Sequence, residues 1–222
     1  MTISENLETL KSQLPAQVKL IPISKRQPKE LIEKAYNGGQ RIFGENRAQD
    51  LKDRHEIFPK DIVWHFVGHL QRNKVKYIAP YVQYIHSVDS LKLLKKINKE
   101  AEKNERTIDC LLQFHIADEE SKFGFSPEKA EELVKSEAYK EMKNIRLTGV
   151  MAMATNTDDK EKVRNEFKRL KTYFDQLKSK YFSESNHFKE ISAGMSGDYK
   201  IAVEEGSTMV RLGSLIFGER KY

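Results

Sequence analysis

Residues 187–213 read HFKEISAGMSGDYKIAVEEGSTMVRLG. The run His187–Ser192 has the length and apolar content of a short strand. A chain of small residues, Ala193 to Gly197, follows it, then a helical stretch Asp198–Glu205, the stop at Gly206 and a second strand Met209–Leu212. A strand that returns to a strand through a helix is a β-α-β unit, and its two strands lie parallel. The small residues between strand and helix let the backbone approach an anion, with N–H groups and hydroxyls as donors. The same residues also make an ordinary tight turn.

Reading outward from this unit, the same rhythm fills the chain. Further candidate strands are Val18–Ser24, Arg41–Gly44, Val63–Val67, Tyr84–Ser87, Ile108–Ile116 and Arg146–Met153, which makes eight. Helical stretches separate them at Lys29–Asn37, Arg47–Ile57, Asn73–Ala79, Ser90–Asn104, Pro127–Ser136 and Asp158–Lys180. Ser126-Pro127 and Asp89-Ser90 carry helix-start chemistry, and Asn37-Gly38-Gly39 is a stop. Eight alternating β-α units predict a closed (β/α)8 barrel, a TIM barrel of class α/β, spanning residues 1–222 as one domain. A chain of 222 residues is of ordinary size for that fold.

Composition narrows the function classes. With 38% hydrophobic and 32% charged residues the chain reads as a soluble globular protein, not a disordered one. No apolar run reaches the roughly 20 residues of a spanning helix. Residues 1–13 show helical spacing without the apolar core of a secretory signal, so a cytoplasmic location is expected. The net charge of +6 is spread along the chain. Its densest stretch, Lys92–Lys103, reads as the solvated face of an amphipathic helix, so nucleic acid is not the expected partner. Cys110 is the only cysteine, which leaves no intrachain disulfide and no cysteine-based zinc site; it reads as a small core residue.

In such a barrel the chemistry belongs where strands end and β-to-α loops begin. Lys25 stands there, directly after an apolar strand, where partial desolvation favours the neutral amine that a Schiff base with an aldehyde requires. With 39 Lys and Arg in the chain, some lysine follows a strand by chance, and a surface lysine is the more ordinary reading of this signal by itself. Gly213-Ser214 follows the eighth strand and falls beside the loop after the seventh, the usual phosphate corner of these barrels. Arg211, on the eighth strand, must meet either a carboxylate or a ligand acceptor such as a pyridine nitrogen. His65 and His69 are four apart, but on a strand running into a loop, so a shared metal is not expected. His65 reads as an inner-barrel residue, His69 as a pocket residue, and Trp64 as packing outside the barrel. No dinucleotide or triphosphate loop signature is present.

The blocks Ile23-Ser24-Lys25, Phe43-Gly44-Glu45-Asn46, Trp64 to Lys74, Ile85 to Asp89, Ser121 to Phe125, Gly149-Val150-Met151, Ser192 to Ser196 and Gly206 to Gly213 run in order over nearly the whole chain. Together they resemble the pyridoxal phosphate homeostasis family, which is related to the N-terminal barrel of alanine racemase. The resemblance implies pyridoxal 5′-phosphate as cofactor, held as a Schiff base on Lys25. It further implies that Ser192, Gly194, Gly213 and Ser214 hold the phosphate and Arg211 meets the pyridine nitrogen. Asn46, His69, Met151 and Met195 would line the ring pocket. Arg26-Gln27 stands where the family often has Thr-Lys, Ala193 where Met is common and Ser214 where Thr is usual. The chain ends at Tyr222 with no further β domain of the racemase kind, so no opposite-face acid or base is expected. The implied function is non-catalytic: a carrier in vitamin B6 homeostasis and amino-acid balance, monomeric, with transient contact to cofactor-dependent apoenzymes. A slow racemase or another Schiff-base enzyme on the same barrel is the alternative.

Overall fold

The computed structural model describes residues 2–117 and 123–218, so Ser121 and Lys122 of the matched blocks, and Tyr222, lie outside the described residues. The eight strands are β1 (Lys19–Pro22), β2 (Ile42–Glu45), β3 (Val63–Phe66), β4 (Tyr84–Val88), β5 (Ile108–Gln113), β6 (Ile145–Met151), β7 (Glu190–Ser192) and β8 (Met209–Leu212). They form one sheet in the order β1-β8-β7-β6-β5-β4-β3-β2, with parallel neighbours throughout. The two ends of that order meet through a parallel bridge between Ile23 and Gly44, where Ser24 N donates to Gly44 O at 3.0 Å. The sheet is thereby a near-closed barrel of the kind the strand rhythm predicts.

The helices are α1 (Ile3–Gln13), α2 (Lys29–Asn37), α3 (Ala48–Ile57), α4 (Val75–Ile78), α5 (Leu91–Lys103), α6 (Pro127–Lys135), α7 (Glu137–Lys140), α8 (Lys160–Tyr181), α9 (Tyr199–Glu204) and α10 (Ser214–Phe217). Ser126 caps α6 by accepting from Lys129 N, with Pro127 in the first turn. Ser90, not Asp89, caps α5. The stretch expected as one helix over 73–79 is instead a 3₁₀ turn, Arg72–Lys74, leading into the single-turn α4. β7 begins at Glu190, three residues later than expected, and β5 stops at Gln113, after which Phe114 bridges Phe125. α1 starts with a capping box of Thr2 and Glu5 and is tied to α10 by Asn6 Nδ2 donating to Ile216 O at 3.0 Å.

Side chains alternate along the strands with period two. Leu20, Phe43, Trp64, Phe66, Ile85, Cys110, Val150, Ile191, Val210 and Leu212 belong to the large core between strands and helices. Trp64 packs there against Phe43 and Phe58. Ile21, Ile23, Leu111, Met151 and Met209 form a smaller cluster of their own. On α5, Leu93, Leu94, Ile97 and Ala101 are buried, while Lys96 and Lys103 pair with Glu100 at 2.6 and 3.2 Å. The lysines of that stretch are a solvated helix face, as its spacing implies.

Candidate cofactor site

A cavity of about 400 Å³ opens at the C-terminal ends of the strands. Its walls are the last residues of strands and the loops that follow them. Lys25 comes from the turn after β1, Asn46 from β2, Gly68 and His69 from β3, Met153 from β6, Met195, Ser196 and Gly197 from β7, and Arg211 and Gly213 from β8. Another cavity, about 380 Å³, lies at the opposite end beside Lys11, Lys19 and Arg41. Two of those cations are already engaged there, Lys19 with Glu190 at 2.5 Å and Arg41 with Asp61 at 2.8 Å.

Of the residues that the sequence singles out, Lys25, Asn46, His69, Met195, Arg211 and Gly213 face the same cavity. Lys25 is half-buried and sits in a turn that Gln27 N closes onto Ser24 O at 3.0 Å. His69 lies at the rim, its Nδ1 3.3 Å from Asp89 Oδ2 and its ring stacked on Phe123 at 4.0 Å. Two glycines shape the walls. A Cβ on Gly68 would stand 2.2 Å from Asn46 O, so the loops after β2 and β3 meet only because that side chain is missing. Gly194 has φ +94°, and a Cβ there would come within 2.8 Å of Ala202 Cβ and Tyr199 Cα.

The remaining four lie elsewhere. Met151 is buried in the cluster with Ile21 and Met209, and Met153, two residues on and on the same side of the chain, faces the cavity instead. Gly194 packs against α9. Ser214 is exposed as the first residue of α10, next to Gly213. Ser192 is fully buried inside the barrel. Residues not assigned to the site from the sequence complete the walls: Ser196 and Gly197 of the small-residue loop, and Phe123, which lies in a matched block and is held by Gln113 Nε2 donating to its carbonyl at 2.9 Å.

Ser192 belongs to a buried chain of hydrogen bonds. Arg211 Nη1 donates to Ser192 Oγ at 2.6 Å, and Arg211 Nη2 donates to Ala152 O at 2.9 Å. Ser192 Oγ lies 2.8 Å from His86 Nδ1, and His86 Nε2 lies 2.9 Å from His65 Nδ1. A guanidinium has donors only, so Ser192 Oγ accepts from it and keeps its own proton, for which His86 Nδ1 is the acceptor at hydrogen-bond distance. With the Ser192 hydroxyl donating to His86 Nδ1, the His86 proton sits on Nε2 and is donated to His65 Nδ1. Burial, and then the Lys19 charge, push His65 down to about 3. Burial, followed by His65, Arg211 and Lys19, holds His86 well below the usual imidazole range. Both rings are neutral at pH 7. Burial lowers Arg211 to about 10, with Asp198 opposing, so it remains a cation. His65 and His69 therefore share no site, and among the described residues no group of three His, Cys, Asp or Glu is arranged for a metal. Cys110 is buried, and burial raises its thiol. Among the described residues no helix is long and apolar enough to cross a membrane.

The sequence matches the family described as alanine racemase, N-terminal domain, over residues 1–221. The pyridoxal phosphate homeostasis protein of Aquifex aeolicus is 40% identical over 205 residues, covering 92% of this chain and 88% of that protein. The structure of PipY from Synechococcus elongatus without PLP aligns with a TM-score of 0.91 at 32% identity, covering 98% of this chain and 100% of that one. The PipY structure with PLP bound gives a TM-score of 0.85 at 31% identity, with coverage of 98% and 100%.

Proposed function

The chain belongs to the family of the alanine racemase N-terminal domain, among the pyridoxal phosphate homeostasis proteins, and from that membership we propose that it carries pyridoxal 5′-phosphate on Lys25. The observation that carries the reading is the convergence of an amine, a guanidinium and a small-residue loop on one cavity: Lys25, Arg211 and Ser196-Gly197 with Gly213. This donor set fits the group. A Cβ built on Gly197 meets nothing within 4 Å, so the backbone there leaves room for a phosphate ester, and the first N–H groups of α10 have no acceptor within their helix. When bound, the cofactor supplies an aldehyde and an aromatic ring that can withdraw electrons.

The roles of the chain's own residues follow from their chemistry. Lys25 would supply the amine that holds the cofactor through its aldehyde carbon, a condensation that releases the aldehyde oxygen as water. Arg211, held from behind by Ser192 and Ala152, presents its remaining donors to a ring acceptor. As a fixed cation it opposes protonation of a pyridine nitrogen and so weakens the ring as an electron sink. Asn46, Met153 and Met195 give the ring its walls.

Holding and releasing the cofactor, rather than turning over a substrate, is the reading this site supports. Among the described residues facing the cavity, the titratable side chains are Lys25, His69 and Arg211. Arg211 cannot give up its proton near neutrality, and His69 is engaged with Asp89 at the rim. A positioned acid or base is worth about 10²- to 10⁴-fold, and a proton transfer at this site has few groups to draw on. The cofactor would pass to dependent apoenzymes in the cytoplasm, with consequences for vitamin B6 and amino-acid balance. Borohydride reduction of the protein loaded with pyridoxal 5′-phosphate, followed by peptide mass spectrometry, tests the proposal. The adduct is expected on Lys25. Its retention in Lys25→Ala refutes the assignment, and turnover of an amino acid that disappears in both Lys25→Ala and His69→Ala would make the protein a Schiff-base enzyme.

A further inference from the structure

The turn that bears Lys25 is held from beneath by a residue on another element. Ser24, Lys25, Arg26 and Gln27 form a tight turn, with Arg26 at φ +58°, the left-handed region that a non-glycine residue enters only when its surroundings hold it there. Arg54, on α3, reaches under this turn. Its Nη2 donates to both end carbonyls, Ser24 O at 2.9 Å and Gln27 O at 3.0 Å. Its Nε lies 2.6 Å from Oε1 of Glu45, the last residue of β2. The same carboxylate oxygen accepts from Ser24 Oγ at 2.6 Å. Glu45 is fully buried and Arg54 nearly so, with side chains 0% and 12% exposed. Burial pushes the Glu45 carboxyl up, while Arg54 and the Ser24 hydroxyl draw it back.

We propose that Arg54, charge-paired with Glu45, is a positioning residue that clamps the Ser24–Gln27 turn and so fixes the direction in which Lys25 presents its amine. The inference rests on Lys25 being the carrier residue. Three observations converge on it independently: two carbonyls of one turn share a single guanidinium nitrogen, the turn contains a left-handed arginine, and a buried carboxylate ties the guanidinium to the strand beside the turn. Ion pairs that serve only the surface are exposed and bind side chain to side chain; this one is buried and grips backbone on both sides of the reactive residue. Glu45 lies in one of the blocks that match the family, but nothing in the sequence connects it to Arg54, nine residues along and one turn from the end of α3.

Arg54→Met removes the donors and keeps the aliphatic stem. Because it leaves Glu45 buried without its partner, which destabilises the fold for an unrelated reason, the double variant Arg54→Met/Glu45→Gln is measured beside it. Three readouts on the folded proteins decide the matter. The rate of Schiff-base formation with pyridoxal 5′-phosphate is expected to fall about 10- to 100-fold in both variants, the effect of misplacing a reacting group by about an ångström. Acylation of Lys25 by a small neutral reagent, referred to the exposed Lys92 in the same molecules, is expected to stay within about threefold, because that reaction needs an amine but no orientation. Hydrogen exchange at the Gln27 amide of the cofactor-free protein is expected to speed up. An unchanged rate with the cofactor in the folded double variant, or unchanged Gln27 exchange, overturns the clamp. An equal fall in both Lys25 reactions also overturns it, since the amine itself would then have changed. An adduct that survives Lys25→Ala defeats the carrier reading instead, whatever Arg54 does.

Discussion

Replacing Ser192 by alanine removes one oxygen that two buried groups share. In the barrel interior Arg211 Nη1 would lose its acceptor and His86 Nδ1 its donor, at residues that are both buried. Leaving a buried polar group unsatisfied costs about 1–3 kcal/mol, and more when it is charged, so Ser192→Ala should cost about 2–5 kcal/mol. For a chain of this size that is a fall in Tm of roughly 5–20 °C. The assay is urea and thermal unfolding of the cofactor-free protein, accompanied by ¹⁵N spectra of the imidazoles. In the unmodified protein both His86 and His65 should carry their proton on Nε2; in the variant that preference at His86 should weaken. The cofactor-free state matters because the family resemblance implies that Ser192 is a phosphate contact. A serine with that role would leave the empty protein's stability unchanged and lower only the affinity for pyridoxal 5′-phosphate. That pattern, or a His86 ring protonated on Nδ1, would refute the buried chain as derived.

Other outcomes follow from the same geometry. The buried imidazoles make stability depend on pH: above about 6.5 they are neutral in both states, and below it the unfolded rings take up protons that the folded ones refuse. Stability should therefore decline as pH falls from 6.5 toward about 3, the folded value for His65, by up to about 1.4 kcal/mol per pH unit for each ring. Glu45 and Asp198, whose carboxyls burial raises, act in the opposite sense once pH exceeds their ordinary values. A urea midpoint that stays flat between pH 6.5 and 5 would contradict the neutral burial of His65 and His86. Gly68→Ala places a methyl 2.2 Å from Asn46 O and should destabilise the fold by about 1–3 kcal/mol while weakening cofactor binding, read by unfolding and by absorbance titration. Phe123→Ala removes a ring stacked on His69 that is 54% exposed; affinity for the cofactor should fall by about 0.5–1.5 kcal/mol with little change in Tm.

Much of the architecture was legible before any coordinates, because parallel strands buried on both faces leave apolar runs, and crossover helices leave amphipathic stretches between them. All eight strands fall where that alternation puts them, and Ser126-Pro127 and Ser90 begin helices because capping is a local matter. The stretch over 73–79 was less legible, since one turn of 3₁₀ helix and one of α helix leave a pattern like that of a single short helix.

The sequence by itself determined which positions stand at the strand ends: Lys25, Asn46, His69, Met195 and Gly213 follow strands and Arg211 lies near the end of β8, and a closed parallel barrel brings such positions to one face. Tertiary structure alone decided what each group touches there. Ser192 and Met151 point inward rather than toward the cavity, Met153 takes the place expected of Met151, and Arg54 reaches the Lys25 turn from a helix 29 residues further along the chain. Position along a strand is encoded in local periodicity, whereas hydrogen-bond partners depend on barrel closure and register. Those arise only when residues far apart in the chain are packed together.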